Sequence, residues 1–136
     1  MKIVLDTNVL VSGILSREGA PGRILELVIE GEIILFMDTR IAYEYREVLS
    51  RPQWPFSKRD AFAVLEFILE NSFWVKAEPL EGNLPDPEDL MFIEVAITAQ
   101  AACIVTGNKR HFPKRAAGKI PVLSPSEFLR IIQTKD

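Results

Sequence analysis

Carboxylate side chains that could bind a metal ion recur along the chain after short apolar segments. Asp6 ends the segment KIVLD, and Glu44 lies within DTRIAYEYREVL. Asp86 and Asp89 lie within LPDPEDLMFIEVA. If folding brings such carboxylates together, they repel one another, and at neutral pH they must be protonated or bind cations. Oxygen ligands suit hard ions such as Mg²⁺ or Mn²⁺, which can activate water and stabilise the charge that develops on a phosphodiester during cleavage.

Each of these residues also has a structural interpretation. Asp6 could be the N-cap of a following helix, because Asp is a preferred cap, and Glu44 could be a solvated helix residue. Asp86 before Pro87 makes a good N-cap and N1 pair, and Asp89 would then be favoured by the helix dipole. Position in the sequence alone leaves both the chemical and the structural role open for all four carboxylates.

Polar residues in IVTGNKRHF have two interpretations as well. Thr106 and Asn108 could line the edge of the sheet, or they could form only a strand end and a turn, since Gly and Asn are common turn residues. His111 is the only histidine, and it lacks the companion ligands of a zinc site. We interpret His111 as a surface residue or a packing group of the loop.

Short apolar segments alternate with longer helical ones along the chain. The short segments lack the alternation of an exposed strand, and they predict parallel strands that are covered on both faces. The predicted strands are 3–5, 33–37, 73–75, 103–105 and 122–123. The predicted helices are 21–30, 39–51, 57–71, 86–101 and 126–133. This order predicts an α/β domain with a mostly parallel sheet.

The predicted topology favours a functional role for Asp6. In open α/β sheets, ligands bind at the carboxyl ends of the strands, near the point where the strand order reverses. Asp6 directly follows the first strand, which is commonly central in such sheets.

Bulk composition limits the class of protein. With 136 residues, 48% of them hydrophobic and 26% charged, the chain has the size and composition of a globular domain. We expect a single domain over residues 1–136. Cys103 is the only cysteine, which excludes an intrachain disulfide and suits a reducing compartment. We see neither a signal peptide nor an apolar run long enough to span a membrane, and we expect a cytoplasmic protein without membrane contact.

A basic segment could contact a polyanion even though the net charge of the chain is -3. Residues 95–126 contain no Asp or Glu. The basic residues there are Lys109, Arg110, Lys114, Arg115 and Lys119. Composition alone favours a solvated loop and a functional surface equally. Beside an acidic metal site, this segment would be a candidate phosphate-binding surface.

Four motifs occur in the order found in PIN-domain nucleases: IVLDTNVLVSGIL, YEYREVLSRPQW, DPEDLMFIEVA and IVTGNKRHFP. The chain resembles this family from Lys2 to about Phe128, and most resembles its VapC-like branch, the toxins of bacterial and archaeal toxin–antitoxin pairs. The resemblance implies a three-layer α/β/α fold around a mostly parallel sheet of about five strands. It also implies Mg²⁺- or Mn²⁺-dependent cleavage of single-stranded RNA, often by a homodimer, and an antitoxin protein as a partner.

By position in these motifs, the resemblance implies that three acidic residues are catalytic metal ligands: Asp6, Glu44 and Asp89. Asp86 lies beside the third motif, and it would bind the metal directly, bind it through water, or cap the helix. Three further residues would support the pocket by hydrogen bonds: Thr7, Asn8 and Thr106. In this setting, the candidate RNA-binding residues are Lys109, Arg110, Lys114 and Arg115.

One position departs from the wider family pattern. Where many PIN domains have TGD, this chain has TGN, with Asn108 in the acidic position. An amide oxygen can still coordinate a metal ion, and we include Asn108 among the candidate ligands, but it brings no negative charge. The sequence therefore leaves two functions open. One is a metal-dependent endoribonuclease that is the toxin of a toxin–antitoxin pair, and the other is a catalytically weak PIN domain that binds RNA or a protein.

Overall fold

The computed structural model describes residues 1–78, 89–113 and 117–134. The strands in these ranges are β1 (Lys2–Leu5), β2 (Ile34–Met37), β3 (Phe73–Trp74), β4 (Ile104–Val105) and β5 (Val122–Leu123). The α-helices are α1 (Thr7–Leu15), α2 (Ala20–Ile29), α3 (Thr39–Leu49), α4 (Lys58–Asn71), α5 (Leu90–Ala99) and α6 (Pro125–Thr134). A short 3₁₀ helix covers Lys109–His111. No helix in the described ranges is both long and apolar enough to cross a membrane.

The strands form one parallel sheet in the order β3-β2-β1-β4-β5. Helices pack against it as an α/β/α sandwich, which confirms the predicted fold class. The strand order reverses at β1, because β2 and β3 lie on one side of it and β4 and β5 on the other. Leu5 of β1 is paired with Val105 of β4. The next residues, Asp6 and Thr106, therefore leave the sheet at its topological switch point, where open α/β sheets bind ligands.

The centre of the sheet is apolar on both faces. Every residue of β1 after Lys2 is buried, and so are both residues of β4. Consecutive buried residues are expected of a parallel strand that helices cover on both sides. The prediction of two covered faces is wrong for β3, whose Phe73 and Trp74 are exposed. These side chains are exposed because β3 lies at the edge of the described sheet, with β2 as its neighbour on one side.

Side-chain caps fix the starts of α3 and α4. The carboxylate of Asp38 accepts a 2.9 Å hydrogen bond from the backbone N–H of Ile41 at the start of α3. The hydroxyl of Ser57, the predicted N-cap of α4, accepts one of 3.3 Å from the backbone N–H of Asp60. The prediction from residue types is confirmed at Ser57, because Ser is a preferred N-cap.

The described part of α5 begins at Leu90, directly after Asp89. The helix predicted for 86–101 starts at Asp86, which lies outside the described residues. At its other end, α5 stops at Ala99, and Gln100 takes a left-handed conformation with φ of 55°. This residue ends the helix slightly earlier than predicted.

A buried tyrosine ties α3 to the end of β1. Tyr45 is fully buried, and its hydroxyl donates a 2.5 Å hydrogen bond to the backbone carbonyl of Leu5. Because Leu5 directly precedes Asp6, this contact holds α3 against the point where the central strand ends. The same helix carries Glu44, the neighbour of Tyr45 in the sequence.

The N-terminus of α6 is closed by a capping box. The carboxylate of Glu127 accepts from the backbone N–H of Ser124 at 2.8 Å, and the hydroxyl of Ser124 accepts from the backbone N–H of Glu127 at 3.1 Å. The same carboxylate accepts from the ammonium of Lys109 at 2.9 Å. The bond from the Ser124 backbone, and then that from Lys109, lowers the pKa of Glu127 to about 2. The cap therefore also links α6 to the 3₁₀ helix after β4.

Replacing the buried tyrosine should destabilise the fold. Tyr45→Phe removes the hydroxyl that satisfies the Leu5 carbonyl, and we expect a loss of about 1–3 kcal/mol in the free energy of unfolding. Tyr43→Phe on the same helix is the matched control, because Tyr43 is 72% exposed, and its effect should stay within about 0.5 kcal/mol. Urea unfolding measures both variants. Equal effects at the two positions would contradict the assigned role of Tyr45.

The Glu127 contacts should make stability depend on pH. A carboxylate whose pKa is lowered in the folded state stabilises the fold above its ordinary pKa of 4.5, and this contribution is lost as the pH falls towards about 2. We therefore expect Glu127→Gln to be less stable than wild type near neutral pH, with a difference that shrinks between about pH 5 and pH 2. Glu66→Gln, on an exposed position of α4, controls for the change in net charge. Urea unfolding at several pH values makes the comparison, and a difference that is constant with pH would contradict this assignment.

Candidate active site

Asp6 turns its side chain away from the helix that it precedes. It occupies the N-cap position of α1, and its backbone carbonyl accepts from the N–H of Val9 at 3.0 Å, but its side chain makes no capping hydrogen bond. The carboxylate instead accepts a 2.7 Å hydrogen bond from the hydroxyl of Thr106. Asp6 is 5% exposed. Asp6 is therefore the N-cap residue of α1 by position, as one interpretation expected, but its carboxylate does not cap the helix and lies buried at the switch point of the sheet.

Thr106 connects the ends of β1 and β4. The backbone N–H of Asp6 donates to the carbonyl of Val105 at 2.9 Å, so the two strand ends are held in register beside the Thr106 side chain. The hydroxyl of Thr106 is buried, donates to Asp6 and accepts from the backbone N–H of Asn108 at 3.0 Å. A hydroxyl has one proton and can accept as well, so both contacts are compatible. Thr106 thus holds the Asp6 carboxylate by a hydrogen bond.

Glu44 reaches the same end of the sheet from α3. Its carboxylate accepts a 2.7 Å hydrogen bond from the hydroxyl of Thr7, the first residue of α1. Thr7 is buried and directly follows Asp6, whereas its neighbour Asn8 is exposed. The interpretation of Glu44 as a merely solvated helix residue does not hold, because its carboxylate has a specific partner 37 residues away.

The carboxylates of Asp6 and Glu44 both affect the pKa of the buried Tyr45 phenol. Burial raises the pKa of Tyr45 well above its ordinary value, and the negative charges of Asp6 and Glu44 raise it further. The phenol therefore stays protonated and can donate to the Leu5 carbonyl. Because both carboxylates act on this one buried group, Asp6 and Glu44 belong to the same electrostatic environment.

Asp89 lies beside the loop that follows β4. It precedes α5, but its side chain makes no capping hydrogen bond to that helix, and the residue is 9% exposed. Nδ1 of His111 lies 3.0 Å from Oδ2 of Asp89. Nε2 of His111 lies 3.0 Å from the side-chain nitrogen of Asn108. His111 is therefore more than the surface or loop-packing residue we expected, since it joins two predicted site residues.

The described carboxylates offer oxygen ligands of the kind that hard divalent cations prefer. In the part of the chain that the structure describes, however, no three Asp, Glu, His or Cys side chains are grouped closely enough to hold a metal ion together. Asp6 and Asp89 are instead two buried carboxylates, each supported by side chains of the loop after β4. Asp86, the remaining predicted acidic ligand, lies outside the described residues. The donor chemistry fits a divalent metal, while the described ligand set is smaller than the sequence predicts.

A second acidic cluster was missed by sequence analysis. Arg40 donates to the carboxylate of Asp38 at 2.9 Å and to that of Glu94 at 2.5 Å, and both carboxylates are buried. Partial burial alone would lower the pKa of Arg40, but the hydrogen bonds to Glu94 and Asp38 outweigh it and raise the pKa. This cluster holds α3, which carries Glu44, against α5, which follows Asp89. The one signal for this cluster in the sequence was Glu94, a charged residue within the otherwise apolar α5.

A cleft of about 720 Å³ lies beside Glu44. Residues of α3 and α5, with Arg51 just after α3, line it: Thr39, Arg40, Tyr43, Glu44, Glu47, Arg51, Leu90, Met91 and Glu94. Glu44 therefore accepts a hydrogen bond from Thr7 and also lines an open cleft.

The predicted basic surface is less basic than the sequence indicates. Lys109 forms an ion pair with Glu127, which lies just beyond the segment without acidic residues. Arg110 is exposed next to it. Lys114 and Arg115 lie outside the described residues. The fold thus brings a carboxylate to one of the candidate RNA-binding cations.

Comparisons with known proteins agree with this architecture. A family model described as PIN domain matches residues 2–110. The uncharacterized protein MJ1680 of Methanocaldococcus jannaschii is 26% identical over 140 residues, which cover 95% of this chain and 90% of that protein. The crystal structure of VapBC2 from Rickettsia felis, bound to a DNA fragment from its promoter, contains a chain of similar fold. The match has a TM-score of 0.59 and 17% identity, and it covers 91% of this chain and 98% of that chain.

The family match spans the strands β1, β2, β3 and β4 and every predicted acidic site residue. PIN domains are in general nucleases that use divalent metal ions. Asp6, Glu44 and Asp89 all lie within the matched residues. The chain belongs to the PIN-domain family.

Proposed function

We propose that this protein is a metal-dependent endoribonuclease that cleaves single-stranded RNA. The observation that carries the proposal is the Asp6 carboxylate, which is buried at the switch point of the sheet and held by the Thr106 hydroxyl at 2.7 Å instead of capping α1. Burying a carboxylate is costly unless hydrogen bonds or cations compensate. A divalent cation would compensate both Asp6 and Asp89, and it is the group that PIN-domain nucleases use in general.

Each site residue has a role in this proposal. Asp6 and Asp89 would hold Mg²⁺ or Mn²⁺, and Glu44 would serve as a further ligand or orient the attacking water. A bound divalent ion supplies activation of water and stabilisation of the charge that develops on the phosphodiester. Thr106 and Thr7 keep the carboxylates of Asp6 and Glu44 in place by the hydrogen bonds they donate. Asn8, Asp86 and Asn108 stay candidate supporting or ligating residues.

The RNA would cross the molecule between the acidic site and the basic residues after β4. Arg110 is exposed and belongs to the 3₁₀ helix that also carries His111. Lys109 contributes less net charge because Glu127 neutralises part of it. Lys114 and Arg115 would extend the surface. Contacts of this kind bind phosphates without reading the base sequence.

We further propose that the protein is the toxin of a toxin–antitoxin pair. The motifs resemble the VapC-like branch, and the chain shares its fold with a chain of the VapBC2 structure from Rickettsia felis. In this proposal it acts in the cytoplasm as a homodimer and is inhibited by an antitoxin protein. The cleft beside Glu44 is where such a partner could block the site.

A second function is favoured by one specific observation. Because the described residues include no close group of three metal-ligating side chains, the domain could bind RNA or protein with little catalysis. This alternative predicts that the wild-type protein binds single-stranded RNA but leaves it intact when Mn²⁺ or Mg²⁺ is added. The nuclease proposal predicts cleavage under the same conditions.

The Asp6→Asn variant tests the nuclease proposal directly. The substitution keeps the shape of the side chain but removes the charge, and we expect cleavage of single-stranded RNA with Mn²⁺ to fall more than about 100-fold. Asp60→Asn is the matched control, because Asp60 is an exposed residue in the first turn of α4. Its cleavage rate should equal that of wild type. Thermal unfolding of both variants shows whether each is folded. An Asp6→Asn protein that cuts as fast as wild type would contradict the site assignment.

A further inference from the structure

Tyr43 is the most exposed large hydrophobic side chain in the part of the chain that the structure describes, with 72% of its surface accessible. It lies on α3 directly before Glu44, and it lines the cleft of about 720 Å³ beside that residue. Leu90 and Met91 of α5 line the same cleft, and both are half-buried. An exposed aromatic ring and two apolar side chains therefore share one cleft with a candidate site residue.

The charges of the cleft do not suit a phosphate group inside it. Three glutamates and two arginines line it: Glu44, Glu47, Glu94, Arg40 and Arg51. Arg40 pairs with Glu94 at 2.5 Å, and Arg51 pairs with Glu47 at 2.9 Å. Because both cations already have acidic partners and the carboxylates outnumber them, the charges repel a further anion. A neutral, planar group that can stack on an aromatic ring fits this lining better.

We propose that this cleft binds an unpaired nucleobase of the RNA, stacked on the ring of Tyr43. The inference rests on the proposed function, because RNA is the substrate only in that proposal. Every base has a π-face, so stacking on an aromatic side chain tolerates different base sequences. Leu90 and Met91 would contact the apolar surface of the base, while its sugar and phosphate stay outside the cleft.

This binding mode gives a physical reason for a single-stranded substrate. The bases of a duplex are paired and stacked on one another, whereas an unstacked base of a single strand can be splayed out onto an aromatic side chain. Tyr43 directly precedes Glu44 in the sequence, so a base on its ring would place the adjoining phosphate beside a residue of the candidate site. Tyr43 would thus act as a positioning residue for the substrate.

The structure holds the Tyr43 platform in place on both sides of the residue. Three residues before it, Arg40 contacts Glu94 of α5. Two residues after it, the hydroxyl of Tyr45 donates to the Leu5 carbonyl at the end of β1. A tyrosine on such a fixed helix offers a large contact area at a small cost in conformational entropy.

RNA binding without divalent metal tests the role of Tyr43 apart from cleavage. Fluorescence anisotropy with a short, labelled single-stranded RNA of mixed sequence, in EDTA, measures the affinity. Tyr43→Ala should weaken binding about 5- to 100-fold, the usual effect of losing one base-stacking side chain. Tyr43→Phe keeps the ring and should bind nearly as well as wild type. Phe67→Ala is the matched control, because Phe67 is an aromatic residue on α4, 37% exposed, that does not line this cleft. Its affinity should equal that of wild type.

A second probe separates stacking from charge. A labelled oligomer of abasic ribose phosphates, equal in length to the RNA, carries the same backbone charge without bases. It should bind wild type and Tyr43→Ala equally, and thermal unfolding shows whether each variant is folded. Equal losses for both probes would overturn the stacking role. Wild-type RNA affinity in Tyr43→Ala would also overturn it and leave the cleft to a protein partner. A loss in Tyr43→Phe as large as that in Tyr43→Ala would assign the contact to the hydroxyl and contradict stacking.

Cleavage kinetics with Mn²⁺ provide the last comparison. A base stacked equally in the bound substrate and in the transition state contributes to binding alone, so Tyr43→Ala should raise KM with little change in kcat. A fall in kcat at unchanged KM would contradict the positioning role. If wild type binds the RNA but does not cleave it with Mn²⁺ or Mg²⁺, the proposed nuclease function fails, whereas the affinities in EDTA still decide the role of Tyr43.

Discussion

The hydrogen bond from Thr106 to Asp6 joins two residues that are 100 positions apart in the sequence. It exists because β1 and β4 are parallel neighbours, paired so that Leu5 and Val105 are in register and the strands end at the same level. Apart from Lys2, both strands consist of buried apolar residues, and polar side chains follow directly after them. One carboxylate and one hydroxyl therefore lie together at the switch point of the sheet.

The carboxylates around this point fall into two groups with different partners. Asp38 and Glu94 are buried against Arg40, whose single positive charge offsets part of their negative charge and holds α3 to α5. Removing Arg40 would leave both buried carboxylates without this partner, which indicates a structural role. Asp6, Glu44 and Asp89 instead meet Thr106, Thr7 and His111. Those partners contact each carboxylate through a hydroxyl or a ring nitrogen. The carboxylate oxygens are of the kind that a divalent cation prefers as ligands.

Local patterns in the sequence predict the strands, the parallel sheet and the Ser57 cap, because these follow from residues close together along the chain. The place of Asp6 is predictable for the same reason, since it comes directly after a buried segment. The link from Arg40 to Glu94 spans 54 residues, and that from Lys109 to Glu127 spans 18. No pattern within one segment specifies such pairs. The contact between His111 and Asp89 likewise depends on how the loop after β4 meets the start of α5.

We propose that Asp6 and Asp89 bind the same divalent cation. A crystal structure of the protein soaked in Mn²⁺, with anomalous data to locate the ion, is the most direct measurement. Our interpretation predicts one Mn²⁺ bound by carboxylate oxygens of both Asp6 and Asp89. An ion bound away from these residues, or no ion at all at saturating Mn²⁺, would contradict it.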